Sequence, residues 1–127
     1  MAKNNKSKPT YVDGYVLPVP KKNLPAYRRM AKDAGRVWRK YGALDYKECV
    51  ADDLQSEWAT LPFSKVVRMK PDETVIFSYV VFKSKAHRNS VNAKVMKDPF
   101  MDKYKDKPMP FDMKRMVYGG FKIIADA

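Results

Sequence analysis

Thr74–Asp98 reads TVIFSYVVFKSKAHRNSVNAKVMKD, an apolar run that passes directly into a polar helix start. Val75 to Phe82 is interrupted only by Ser78, so neither side of this strand alternates toward water, and a strand of that kind is covered on both faces. Ser84 follows as a helix N-cap, Lys85 to Lys97 contains neither Gly nor Pro, and Pro99 sets the latest stop. A buried strand feeding a helix is the unit around which the rest of the chain is placed.

Upstream, Thr10–Val19 (TYVDGYVLPV) is rich in β-branched and aromatic residues and is closed by Pro18 and Pro20, which predicts a first strand. Asp13 is its anomaly. A carboxylate in the middle of an apolar strand must reach solvent or find a partner, because burying it unpaired costs several kcal/mol. The structural explanation is a kink at Asp13-Gly14 or a wet cleft edge; the functional one is a carboxylate in a ligand site. Asn23 is placed to cap a helix over Leu24–Tyr41, with Pro25 in its first turn and Gly42 beyond its end. Leu24, Tyr27, Met30, Ala31, Ala34, Val37, Trp38 and Tyr41 recur at helical spacing and mark the buried face, while Arg28, Arg29, Lys32, Arg36, Arg39 and Lys40 fill the remainder. Ala43–Ala51 alternates, with Leu44, Tyr46, Glu48 and Val50 on one side, as a half-wet strand near a sheet edge does.

The irregular acidic stretch Asp52–Ser64 holds Trp58, Leu61 and Phe63 and must pack against something. Lys65–Lys70 fits either a short strand or one helical turn capped by Ser64. Pro99–Pro110 is a Pro/Lys/Asp connection that cannot hold a long helix. Met116–Ala125 is a last strand whose Gly119-Gly120 pair calls for a bulge or a close approach by another backbone or a ligand. The order strand–helix–strand–strand–helix–strand is the βαββαβ order of an α+β ferredoxin-like fold, an antiparallel sheet with both helices on one face. The central strand looks covered on both faces while the helices cover one, so a second copy packed on the helix-free sheet face is the economical partner.

The chain has 127 residues, one domain's worth, with residues 1–9 expected as a disordered basic tail and 10–127 as the folded unit. The longest apolar run is too short to span a bilayer, so no membrane partner is expected. The single Cys49 excludes an internal disulfide and a Cys-based metal cluster, which fits a reducing cytoplasm. The formal charge of +12 is uneven: Lys21–Tyr41 carries eight basic residues against Asp33, whereas Leu44–Ser64 carries Lys47 against five acids. Charge of this kind supports solubility and weak, salt-sensitive contact with nucleic acid.

The segments YVDGYVLPVPKKNLPAYRRMA (Tyr11–Ala31), GRVWRKYGALDYKECVADD (Gly35–Asp53), ETVIFSYVVFKSKAHRNSVNAKVMKDP (Glu73–Pro99) and MPFDMKRMVYGGFK (Met109–Lys122) resemble the bacterial YbaA-like proteins, a family of unknown function. The resemblance runs from Tyr11 to Ala125. It implies a dimeric α+β barrel, two ferredoxin-like subunits packed sheet to sheet, and no established activity.

His87, the only histidine, falls in the first turn of the second helix beside Lys83, Lys85 and Arg88, where free N–H groups favour an anion. A structural histidine bonded to backbone is the plainer alternative. The candidate ligand-binding residues are therefore Asp13, His87, Arg88, Gly119 and Gly120, for a small molecule or small anion held between helices and sheet. No catalytic residue, metal ligand set or cofactor motif is legible. A phosphate loop, a Ser-His-Asp pattern, zinc spacing and an RNA-recognition signature are all missing. Two functional readings follow: a small homodimeric barrel with a ligand pocket, and a weak nucleic-acid or protein interaction module using the basic first helix.

Overall fold

The computed structural model describes residues 8–127. Four strands, β1 (Tyr11–Pro20), β2 (Asp45–Val50), β3 (Glu73–Phe82) and β4 (Val117–Lys122), form one antiparallel sheet in the order β2-β3-β1-β4. This is the strand order of a ferredoxin-like fold, with the two longest and most apolar strands at the centre. Helix α1 spans Leu24–Lys40, α2 is a single turn at Phe63–Val66, α3 spans Lys85–Met96 and α4 is a short helix at Phe100–Tyr104.

Antiparallel register sorts each strand onto two faces. Leu17 pairs with Ile76, Asp13 with Val80 and Tyr11 with Phe82, and these residues all point toward α1 and α3. One core cluster joins Tyr11, Val80 and Phe82 to Val91 and Val95 of α3; the other joins Leu17, Val19 and Ile76 to Tyr27 and Ala31 of α1. The helices are tied to each other as well, by Trp38 Nε1 donating to Asn92 Oδ1 at 3.0 Å and by Lys40 and Tyr41 both bonding the buried Asp98 carboxylate.

The opposite face is covered only in part. Val16 and Val75 are buried under Val67, with Ala51 and Leu54 against them, so the acidic stretch and its short helix fold back over one end of the sheet, but Trp58, Leu61 and Phe63, expected to pack down, stay exposed. Arg115 clamps this return: it binds the buried Glu73 carboxylate through two bonds of 2.7 Å and the carbonyl of Arg68 at 3.0 Å. Arg68 itself is left-handed, at φ 52°. Beyond this cover the face stays open, with Phe77 44%, Val117 42% and Phe121 60% exposed. Within one chain, then, the anchor strand β3 is fully covered on the helix side and only at one end on the other.

Several local expectations are corrected. Asn23 does not cap α1: a 3-10 turn at Lys21–Asn23 leads straight into the helix, leaving Asn23 helical and its amide free to donate to the carbonyl of Pro110 at 3.2 Å. Lys65–Lys70 is not a strand; the helical turn begins earlier, with Pro62 at the N-cap position instead of Ser64. Gly119-Gly120 makes no bulge, because β1 and β4 pair without interruption from Val16↔Val117 to Tyr11↔Lys122. The basic tail lies outside the described span over residues 1–7. Ser84 does cap α3, accepting from the His87 N–H at 3.0 Å.

Candidate functional site

Two polar clusters lie on the helix-covered side of the sheet. The first is built on Asp13. As an odd-numbered residue of a central strand, paired on both edges, it is neither in a kink nor at a wet edge, and it is completely buried. Its partner comes from α3: Arg88 Nε lies 3.7 Å from Asp13 Oδ1, and the Tyr118 hydroxyl donates to the same oxygen at 3.2 Å. Arg88 also donates to the hydroxyls of Tyr11, at 3.0 Å, and Tyr118, at 3.1 Å, while its guanidinium rests over the Tyr11 ring. Asp13 Oδ2 and Arg88 Nε have no hydrogen-bond partner. Burial pushes the Asp13 carboxyl above the usual carboxylate range, against the opposing pull of Arg88, Tyr118 and Asn92.

Gly120 belongs to this cluster for a steric reason. A Cβ there would collide with the Tyr11 hydroxyl and come within 3.1 Å of Arg88 Nη2. The close approach is made by side chains of the same chain. Gly119 points to the other side of the sheet, where its nearest neighbour is the Phe121 ring at 3.1 Å.

His87 is also apart from the cluster, because successive residues of a helix diverge by about 100°. Arg88 leans over β1 and β4, whereas the His87 ring meets Phe82 edge-on, accepts the Lys83 N–H on Nδ1 at 3.0 Å and lies against Gly42. Gly42 has φ 114°, and a side chain at that position would press on His87 Nε2. Burial, helped by Lys83 and Lys94, lowers the His87 pKa below its ordinary 6.5. Of the five sequence candidates, the fold brings together Asp13, Arg88 and Gly120, and separates His87 and Gly119 from them.

The second cluster is the one the sequence does not single out. Glu48, on the edge strand β2, accepts from the Tyr27 hydroxyl at 2.7 Å on one carboxylate oxygen and from the Tyr46 hydroxyl at 2.6 Å on the other. Burial first, and the Glu48 charge second, push both tyrosine hydroxyls far above their ordinary titration range, so both remain donors. This bridge stands between two cavities. On its outer side a groove of about 690 Å³ runs between α1 and the β2 edge, floored by Leu24, Ala31, Val50 and Ile76 and rimmed by Arg28, Lys32, Arg36 and Arg39. On its inner side a space of about 160 Å³ lies between α1 and the sheet, reached by Tyr15, Trp38 and Ser78. Tyr27, Ala31, Tyr46 and Glu48 line both. Gly35 lets the helix settle here, since a Cβ at that position would stand 2.9 Å from the Tyr46 ring. Neither cavity is lined by Asp13 or Arg88.

In sequence, Glu48 is one member of an alternating strand, indistinguishable from any solvated carboxylate. Its one available signal is that it shares a face with Leu44, Tyr46 and Val50, an apolar company for an acid. Among the described residues, no group of three or more His, Cys, Asp and Glu side chains is arranged to hold a metal ion, and no helix is long and apolar enough to cross a membrane.

The comparisons with known proteins agree with this architecture. A dimeric ferredoxin-like protein from an uncultured marine organism is 10% identical and superposes with a TM-score of 0.57, covering 100% of this chain and 97% of that one. A NIPSNAP family protein of unknown function from Agrobacterium tumefaciens is 17% identical at a TM-score of 0.51, covering 90% and 87%. At such identities the likeness is one of fold. In sequence, the uncharacterized protein YbaA of Escherichia coli K12 is 42% identical over 116 residues, 91% of this chain and 97% of the relative, and the YbaA of Shigella flexneri matches to the same extent. The family described as "Protein of unknown function (DUF1428)" matches residues 10–113, and this chain belongs to it.

Proposed function

We propose that the protein is a small-molecule-binding homodimer, with the ligand held in the groove between α1 and β2 and the two subunits joined through the helix-free face of the sheet. The observation that carries the binding reading is the Tyr27–Glu48–Tyr46 bridge. An acid with two fixed donors forms the inner wall of a groove of about 690 Å³ whose floor is apolar. Concave, mostly apolar sites with a few fixed polar groups are where small ligands bind.

The dimer reading rests on Phe77, Val117 and Phe121, exposed on one face, and on the neighbouring Phe63, whose ring lies 6.1 Å from that of Phe77. A patch of this kind on a sheet seeks a partner, and a second copy offers a matching one. The marine relative in fold is described as dimeric, which is consistent with this. A role for the basic first helix in nucleic-acid binding has less support: Arg36 pairs with Asp33, Lys40 with Asp98, and Arg39 with the carbonyl of Leu44.

The test is a titration with anilinonaphthalene sulfonate, an aromatic anion that fluoresces when it leaves water. Saturable binding by the folded protein is expected, abolished by Val50→Trp, which fills the groove from a half-exposed edge position. Binding that Val50→Trp leaves intact places the dye elsewhere and overturns the groove as the site.

A further inference from the structure

We infer that the groove selects an amphipathic organic anion with a hydrogen-bond donor at the end opposite its charge: a hydroxyl that reaches Glu48 and a carboxylate that remains among the arginines and lysine of the rim. This rests on the groove being the ligand site and adds to it the chemistry of the occupant.

The inner end is decided by proton supply. The hydroxyl protons of Tyr27 and Tyr46 are both spent on Glu48, at 2.7 Å and 2.6 Å, and neither tyrosine gives up its proton in the ordinary range. Each carboxylate oxygen accepts more than one hydrogen bond, so Glu48 retains acceptor capacity and has nothing to donate. A ligand group arriving there must therefore bring the proton. A carboxylate or carbonyl at this end would meet an acid and lose its hydration without repayment.

The outer end is decided by charge. Arg28, Lys32, Arg36 and Arg39 stand on the lip of the groove, along one side of α1. Arg36 is held by Asp33 and Arg39 by the Leu44 carbonyl, whereas Arg28 and Lys32 make no ion pair among the described residues. Between the two ends the walls are Leu24, Ala31, Val50 and Ile76, with the Tyr46 ring beside them, so the body of the ligand is apolar. A cationic ligand would be repelled at the mouth even though it could satisfy Glu48.

Three rigid probes of one shape separate the terms: a biphenyl bearing a carboxylate at one end and a hydroxyl at the other, the same biphenyl with only the carboxylate, and the same with only the hydroxyl. By calorimetry on the 127-residue protein, removing the hydroxyl is expected to weaken binding about tenfold, as the loss of a hydrogen bond to a charged group does. Removing the carboxylate is expected to weaken it about fivefold at low salt and hardly at all in high salt, because the rim is exposed. Arg28→Gln with Lys32→Gln should erase the second difference and leave the first. Glu48→Gln should erase the first, and because the comparison within the unaltered protein already measures it, the inference does not depend on that variant folding. Equal affinity for all three probes would overturn the inference while leaving the groove as the site. Binding of none would overturn both.

Discussion

Asp13 and Glu48 are both carboxylates that face the helices from the same sheet, and they differ in where the strand lies. Asp13 is on a central strand, flanked by Val80 and Gly120, with Arg88 above it and no solvent contact. Glu48 is on the edge strand, bridged by two hydroxyls in a wall with a groove on one side and an interior space on the other. On the central strand the acid is out of reach of water and relies on Arg88 and the Tyr118 hydroxyl, so removing the cation leaves a buried charge uncompensated. An edge strand can keep one half-open, where a ligand can meet it. On the proposed reading, Asp13 serves the fold and Glu48 serves binding.

The largest effect expected from breaking the contrast is at the sealed pair. Arg88→Met leaves Asp13 buried without its cation and should cost about 3 kcal/mol in chemical denaturation, whereas Asp13→Asn combined with Arg88→Met should cost less than the two single changes added together. A strictly additive double variant would mean the pair does not act as one unit. Gly120→Ala should follow in size, roughly 2 kcal/mol, because the new methyl group displaces the Tyr11–Arg88 contact; Gly119→Ala meets only a movable, exposed ring and should cost clearly less. Reversal of that order would place the crowding on the wrong face. Glu48→Gln, on the open side, should lower stability by only about 1 kcal/mol. A loss as large as that of Arg88→Met would make Glu48 another structural acid.

An effect of similar size, but dependent on pH, concerns His87. Its pKa is lowered in the fold, so the folded state favours the neutral ring; the stability this contributes is present above the ordinary value of 6.5 and is lost as pH falls through it toward the folded value. His87→Ala should remove about 1 kcal/mol at neutral pH through the lost Lys83 N–H bond and should flatten part of the pH dependence below the ordinary value of 6.5. An unchanged slope would show that the ring's protonation is not linked to folding.

The dimer prediction sharpens the other difference, that between the two faces of the sheet. Phe77 is 44% exposed on the open face, so Phe77→Asp should leave the subunit folded, by circular dichroism, and shift sedimentation at micromolar concentration from dimer to monomer. A Phe77→Asp protein that sediments as the unaltered one does would place any interface elsewhere.

What the sequence makes legible follows from how local the causes are. The four strands and two long helices can be read because periodicity, Ser84 and Gly42 act over a few residues. The lack of alternation from Val75 to Phe82 predicts cover on both faces, and the single chain supplies it on the helix side and at one end of the other. Asn23 misleads because its partner, the carbonyl of Pro110, is distant in the chain. The candidate site is legible only in pieces. Asp13 stands out as an acid in an apolar strand, but which residue neutralises it depends on how α3 crosses the sheet. Helical rotation then separates His87 from Arg88. Glu48 stays hidden because its significance comes from Tyr27, which reaches it from a helix.

The contrast between the two acids is tested most directly by a crystal structure of the protein grown with the biphenyl that carries both hydroxyl and carboxylate. Density for the probe is expected between α1 and β2, with its hydroxyl within hydrogen-bond distance of Glu48 and the Asp13–Arg88 pair undisturbed. Probe density beside Asp13 and Arg88, with the Glu48 groove empty, would contradict it.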